Sequence, residues 1–254
     1  MQFIDLSVTL DNDKHWAPWW ARNKVVRQSH TFGNFAIWLI LRLTPSYLKN
    51  RLGWANDIIK LSTHGTTHLD APWHYGPLSE GKPAKTIDRI PLEWCMNDGV
   101  VLDMTHKKDG DAISRDDLKQ ALVAMGYAIK PFDIVLIRTG NDKMLGTPDY
   151  FTRGAGVSAD ATRFLLEQGV KITGIDSWGW DIPLPTMAKQ ARKTGNKTLF
   201  WEAHYVGVEK EYCHLERLTG LDRLPSHGFT VCCFPLKIKS ASAGPSRVVA
   251  ILDP

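Results

Sequence analysis

Residues 61–75, LSTHGTTHLDAPWHY, hold His64, His68, Asp70 and His74 at even offsets from one another. Imidazole and carboxylate are the ligands that a borderline divalent cation prefers, and three of them plus water make an open, catalytic site. A straight strand rising about 3.3 Å per residue would part His64 from His74 by about 33 Å, too far to share one ion. The segment must therefore bend. Gly65, which tolerates positive φ, and Pro72, which ends regular structure, are the residues that allow it. A helical turn would also bring His64 and His68 together, although the Thr pair and Asp-Ala-Pro disfavour a long helix. One histidine is most often a hydrogen-bonded core or surface residue, but three with an aspartate repeat that coincidence too often. Metal binding is the better reading.

Partners for such an ion would have to come from elsewhere in the chain. In WEAHYVGVEKEYCHLERL (201–218), His204 and Glu216 lie twelve residues apart, and Glu216 could chelate a metal or accept a proton. Glu202, Glu209, Glu211 and His214 compete with them in the same stretch. The alternation of Val206 and Val208 after His204 suggests a strand that turns and returns.

The elements that must position these groups read as one mixed α/β domain over residues 1–254, with no repeat or linker-like tract. Strand candidates are Val100–Met104, Ile134–Arg138, Ile172–Ile175, Thr230–Ile238 and Arg247–Leu252. Several are apolar on both parities, as strands covered on both faces must be. One helix should start after Ser114, an N-cap with Asp117 at the capping-box position. A second should start after Ser158 and stop near Gly169. Residues 35–54, with Pro45 between an apolar and a basic aromatic half, read either as a core element or as an active-site cover or subunit contact.

With 254 residues, 43% hydrophobic and 23% charged, the composition is that of a globular protein. The formal net charge of +4 is too mild to imply nucleic acid, which asks for a concentrated basic face. The densest basic stretch, Lys189, Arg192, Lys193 and Lys197, reads as a solvated surface loop. The longest apolar run, Phe35–Leu41, falls far short of the roughly 20 residues a membrane span needs. The first residues, MQFIDLSVTL, make a poor signal peptide, and four cysteines without a CxxC pair suit a reduced, cytoplasmic protein.

The chain resembles the cyclase family of metal-dependent hydrolases, the kynurenine formamidase and isatin hydrolase group, whose pattern is His-x-Gly-Thr-His-x-Asp-x-Pro-x-His. His64, Thr67, His68, Asp70, Pro72 and His74 fall in register, while the glycine is displaced to Gly65 and Thr66 takes its usual place. The resemblance continues through residues 87–104, 133–142, 154–177 and 234–252. It implies a single-domain β/β/α swivelling fold with a mixed sheet, usually a homodimer or homotetramer, and one or two ions reported as zinc or manganese. By the same resemblance His64, His68 and Asp70 look like ligands of a first metal, Asp70 able to bridge to a second, and His204 and Glu216 complete that second site. His74 resembles the family's catalytic histidine, and Asp5-Leu6-Ser7 matches the family start, with a substrate-contacting tryptophan shortly after it. Trp16 and Trp19 are the candidates.

A divalent ion that acidifies water from about 16 towards 7 would supply a nucleophile at neutral pH for attack on a polarised carbonyl. His74 would return a proton to the departing atom. The expected substrate is a small aromatic or cyclic amide, aryl formamide, lactam or lactone. At least one of Trp16, Trp19, Trp178 and Trp180 should line its pocket, and Arg138 could meet a substrate carboxylate or serve a structural salt bridge. Two other readings are a polyketide-type cyclase or dehydratase using the same metal, and a non-catalytic metal-binding protein. Structural zinc sites usually hold four protein ligands and favour Cys, which the motif lacks.

Overall fold

The computed structural model describes residues 1–12 and 17–252. Nine strands form one mixed sheet in the order Gln2–Asp5, Val249–Leu252, Phe229–Cys232, Met96–Asp103, Ile134–Arg138, Ile172–Ile175, Cys213–Glu216, His68–Asp70, Ala243–Pro245. The pairs from Met96–Asp103 through Cys213–Glu216 are parallel, and the flanking pairs are antiparallel. Ala243–Pro245 lies at one edge, yet residues 246–248 suffice to join it to Val249–Leu252 beside the opposite edge. So short a link requires the sheet to curl strongly, in keeping with the twist that strands impose on one another.

Each central strand is apolar on both faces because both are covered. Val101, Ile134, Leu136 and Ile172 point into a core with Leu69, Leu215 and Val231. The alternate residues Val100, Leu102, Val135, Ile137 and Ile175 pack against Leu118, Leu122, Phe164 and Leu165. Those last four belong to helices Arg115–Met125 and Ala159–Glu167. The capping box of Ser114 and Asp117 starts the first, with Gly126 left-handed at its end; Ser158 caps the second, which ends just before Gly169.

Several local readings are corrected. The strand expected over Thr230–Ile238 is only Phe229–Cys232, and Pro235, which offers no N–H to a ladder, follows in irregular chain. The basic stretch at 189–197 is mostly helix Leu184–Thr194, with the cations on its exposed turns, rather than a loop. His204 sits in helix Glu202–Glu209, not a strand. Residues 35–54 are not a core element: helix His30–Leu41 exposes Phe35, Trp38, Ile40 and Leu41 and buries only Gly33 and Ile37. A two-stranded ribbon, Lys24–Gln28 with Asn56–Lys60, carries that helix. Among the described residues no helix is long and apolar enough to cross a membrane.

Candidate metal centre and active-site cavity

Sheet register builds the centre. The antiparallel pairing of Cys213–Glu216 with His68–Asp70 sets His214 directly opposite Asp70 and Glu216 opposite His68. Residues two apart on a strand share a face, so four polar side chains converge on one patch. On the other side of His68–Asp70, Ala243, Gly244 and Pro245 pair with it. His64 is delivered by the turn before the strand and His74 by the one-turn helix Pro72–Tyr75 after it, so the bend expected between them is present. Gly65 serves this bend by close approach, not by positive φ. A Cβ there would lie 2.2 Å from Asn23 Oδ1, while the Asn23 amide donates to Gly65 O at 2.6 Å.

His204 arrives from its helix because Gly207, one turn on, lets that helix lie against the Tyr75 ring, where a Cβ would come within 2.0 Å of Cδ2. Its Nδ1–H donates to Asp181 Oδ2, a carboxylate that also accepts the backbone N–H groups of Ala203 and His204 at 2.8 and 3.2 Å. This fixes the tautomer and leaves Nε2 bare, 3.6 Å from Glu216 Oε1. The His68 Nδ1–H likewise donates to Thr66 O at 2.6 Å, leaving its Nε2 as a lone pair 3.2 Å from Asp70 Oδ1 and 3.6 Å from Glu216 Oε2. Asp70 Oδ1 is buried and accepts no hydrogen bond, although His64 Nδ1 lies 2.8 Å away.

Acceptors facing acceptors in a buried site demand positive charge, and the electrostatics of the neighbouring groups fit that demand. Burial alone would raise Asp70, yet His64, His74, His68 and the His214 hydrogen bond hold it well below the usual carboxylate range. Burial and Asp70 push Glu216 up, but His214 brings it to about 2. Burial opposes protonation of His214, and the carboxylates of Asp70 and Glu216, 2.9 and 3.2 Å away, nevertheless raise it to about 9. His214 thus holds as a proton the charge that a cation would bring. Asp70, His204, His214 and Glu216 offer ligand atoms within 4.8 Å of one another, as do His64, Asp70 and His74, so Asp70 is common to both groups. The donor set fits a divalent ion of the N/O-ligand class.

His74 stands apart in character. Burial, together with nearby His64 and His204, lowers it to about 3 against the pull of Asp70, so it is a neutral imidazole at pH 7. Its ring lies 4.1 Å from that of His64, tilted by 37°, and meets Trp201 edge-on at 5.0 Å. Both His64 and His74 face a cavity of about 220 Å³. Apolar walls come from Trp20, Phe151, Trp178, Leu184, Met187 and Trp201, with Arg153, Ser177 and Arg217 among the polar groups.

The sequence-predicted residues divide accordingly. His64, His68, Asp70, His204 and Glu216 are brought together with His74 above them. Trp178 lines the cavity. Trp180 does not: its indole is buried, stacked 5.7 Å from His214 and donating to Thr162, while its backbone N–H donates to Glu216 Oε1 at 2.9 Å. Trp19 is 80% exposed and outside the cavity, where its neighbour Trp20 stands instead. Trp16 lies outside the described residues. Arg138 is paired with Asp103 at 2.9 Å, away from the cavity, which is the salt-bridge reading. His214, only one of several competitors on sequence, and Asp181 and Arg217 were missed. The i, i+2 spacing of His214 and Glu216 in CHLE was the available signal; nothing local marks Asp181 or Arg217.

Bare imidazoles and carboxylates that need a cation, opening onto a cavity of small-molecule size, belong to the class of metal-dependent enzymes with small substrates. Comparison with known proteins narrows the class. Residues 4–182 match the family described as putative cyclase, and the chain belongs to that family. It is similar to the kynurenine formamidase of Bordetella petrii, 31% identical over 193 residues that cover 75% of this chain and 78% of that protein. It is also similar to the isatin hydrolase of Roseibium aggregatum, 27% identical over 202 residues, 76% of this chain and 73% of that one. Among solved structures, an isatin hydrolase bound to the product analogue thioisatinate shares the fold: TM-score 0.77 at 21% identity, covering 100% of this chain and 93% of the other. The mixed α/β fold is therefore that of the family.

Proposed function

We propose that the whole chain, residues 1–254, is one cyclase-type domain that hydrolyses an amide, aryl formamide, lactam or lactone bond of a small aromatic or cyclic molecule. The relatives carry names of hydrolases acting on such bonds, and this supports the reading. The observation that carries it is the convergence of the bare His68 and His204 nitrogens with Asp70 and Glu216 beside an apolar cavity. A structural metal site would be closed, whereas this one has an open side.

His64, His68, Asp70, His204 and Glu216 are the residues that would hold one or two ions, zinc or manganese by donor type, with His214 donating to Asp70 and Glu216 beside them. A cation held there supplies Lewis acidity, which polarises a carbonyl and acidifies water. The chain does the rest. Trp20, Trp178 and Trp201 shelter an aromatic ring and thin the water around it. His74, facing the cavity, takes a proton at a ring nitrogen as water adds to the carbonyl and passes it to the departing nitrogen or oxygen. Asp181 holds His204 in the tautomer that presents Nε2.

The exposed apolar side chains Phe32, Phe35, Trp38 and Trp54 support a homodimer or homotetramer, and four free cysteines, three of them buried, support a reducing, cytoplasmic setting. The test of the activity is a panel of aryl formamides, lactams and lactones offered to protein purified without chelator, stripped, and reloaded with zinc or manganese. Metal-dependent release of the ring-opened or deformylated product is expected. Elemental analysis showing no bound metal, with no member of the panel cleaved after reloading, would overturn the proposal.

A further inference from the structure

Four histidines of the centre are held by a hydrogen bond at a ring nitrogen: His64 by Ser242 at 3.1 Å, His68 by Thr66 O, His204 by Asp181 and His214 by Asp70. His74 is the exception. Its backbone N–H donates to Ala71 O at 2.8 Å, but among the described residues its ring nitrogens make no hydrogen bond, and Asp70 Oδ2 stands 3.7 Å from Nε2. The torsion that turns an imidazole has a broad well, so a ring without a hydrogen bond is aimed only by what packs against it. A proton carrier must nevertheless keep its nitrogen within about 2.6–3.2 Å of the atom it serves. Packing has to do for His74 what hydrogen bonds do for the others.

Three rings from other parts of the site stand against it: His64 at 4.1 Å, Trp201 at 5.0 Å and His204 at 5.6 Å. His64 and His204 are candidate ligands, fixed by their own partners. Trp201 belongs to neither group of ligands. It meets His74 edge-on at 82°, a favoured aromatic geometry, and lies flat on His204, centroids 4.4 Å apart and planes 20° from parallel. Asp181 holds His204 at Nδ1, so the indole rests on a fixed plate.

The backbone of Trp201 is kept in an unfavourable state to achieve this. Trp201 is the N-cap of helix Glu202–Glu209, at φ +66° and ψ 32°, in the left-handed region where a bulky side chain is strained. It supplies no side-chain cap, and its N–H donates to the Met187 sulfur at 3.3 Å, a weak acceptor. Gly or Asn would suit that backbone better. Strain retained at a functional site points to a use for the side chain.

We propose that Trp201 is the positioning residue for His74: its indole, braced on His204, holds the His74 ring with a nitrogen aimed at the departing group. The proposal rests on the hydrolase reading and names what aims its proton carrier. Water adds to the carbonyl carbon, the bond to the departing atom breaks, and the proton that His74 took from that water leaves on the departing atom.

The experiment uses two formyl compounds that differ in their need for that proton, on the metal-loaded enzyme. Formanilide cannot expel its nitrogen unprotonated, whereas 4-nitrophenyl formate releases 4-nitrophenolate without a proton. Trp201→Ala should lower kcat for formanilide about 30-fold, with KM within about threefold of wild type and metal content unchanged. For 4-nitrophenyl formate kcat should fall by no more than about threefold. Trp201→Phe, which keeps an aromatic edge, should recover part of the formanilide rate. A rise in KM for both compounds with kcat intact would make Trp201 a wall of the cavity and overturn the proposal. Equal loss of kcat on both compounds, or loss of metal, would overturn it too, by assigning the effect to a disturbed metal centre. If Trp201→Ala does not fold, Trp201→Leu, which retains apolar bulk, is put through the same comparison. All these outcomes leave the hydrolase reading standing; wild type that cleaves neither these compounds nor any amide, lactam or lactone after reloading brings down that reading and the proposal with it.

Discussion

His214 and Asp70 face each other across an antiparallel strand pair, Nε2 to Oδ2 at 2.9 Å, and both are wholly buried. Asp70 accepts from His214 with one oxygen and turns the other, which accepts no hydrogen bond, towards His64 and His68. The carboxylate thus joins the two groups of candidate ligands.

Asp70→Ala should therefore empty both groups at once. Elemental analysis should find the purified variant metal-free and inactive; a metal-replete, active Asp70→Ala protein would refute the assignment.

His74→Ala should part chemistry from binding. Because His74 faces the cavity beside His64, its loss should leave most of the metal bound while turnover falls by about 100-fold or more. Loss of metal with the circular dichroism spectrum intact would make His74 a ligand instead.

His214→Ala leaves Asp70 and Glu216 without their shared donor. Metal affinity, measured by competition with a chromophoric chelator, should fall about 10–100-fold, the range seen when groups that support a metal site are removed. Unchanged affinity would mean that His214 only packs against Trp180 and Tyr75.

Asp181→Asn keeps the shape of the carboxylate but offers an amide N–H to His204 Nδ1, favouring the tautomer that protonates Nε2. Turnover should drop about 10–100-fold with little change in melting temperature. A pH–rate profile and metal titration identical to wild type would show that the Asp181–His204 pair does not orient a ligand.

Away from the site, Ser114→Ala should cost about 1 kcal/mol through loss of the helix cap, lowering Tm by about 2–4 °C and leaving activity alone. The capping partner Asp117 gives this a pH signature. Burial works against its charge, but Lys107 and the Ser114 donors draw it down to about 2 from the ordinary 3.8. A carboxyl with a depressed folded-state pKa stabilises the fold fully above its unfolded value, and that contribution fades as pH falls from about 4 towards 2. In calorimetry the Tm gap between wild type and Asp117→Asn should be largest near neutrality and narrow on acidification below pH about 4. A gap independent of pH would assign the effect to lost packing.

Local chemistry made much of this protein legible in its residues alone. Ser114 with Asp117 and Ser158 announce helix starts because capping is satisfied within one turn. The doubly apolar runs at 134–138 and 172–175 announce covered strands because no solvated face could tolerate them. The motif from His64 to His74 announces its own bend, since a straight chain could not bring its ends together. The alternating valines after His204 misled, because in the fold that segment packs as a helix against Tyr75 and the Ala159–Glu167 helix, and tertiary contacts override a short periodic signal. What no local signal could choose was which distant groups share the cation and which face the substrate. That His214 opposes Asp70, that Asp181 steers His204, that Trp180 is buried while Trp178 and Trp20 line the cavity, and that Arg217 turns inward all depend on strand register and backbone contacts far apart in the chain. Residue types limit which chemistry is available, but only the folded sheet sets the ångström distances at which lone pairs meet, and those distances decide which groups work together.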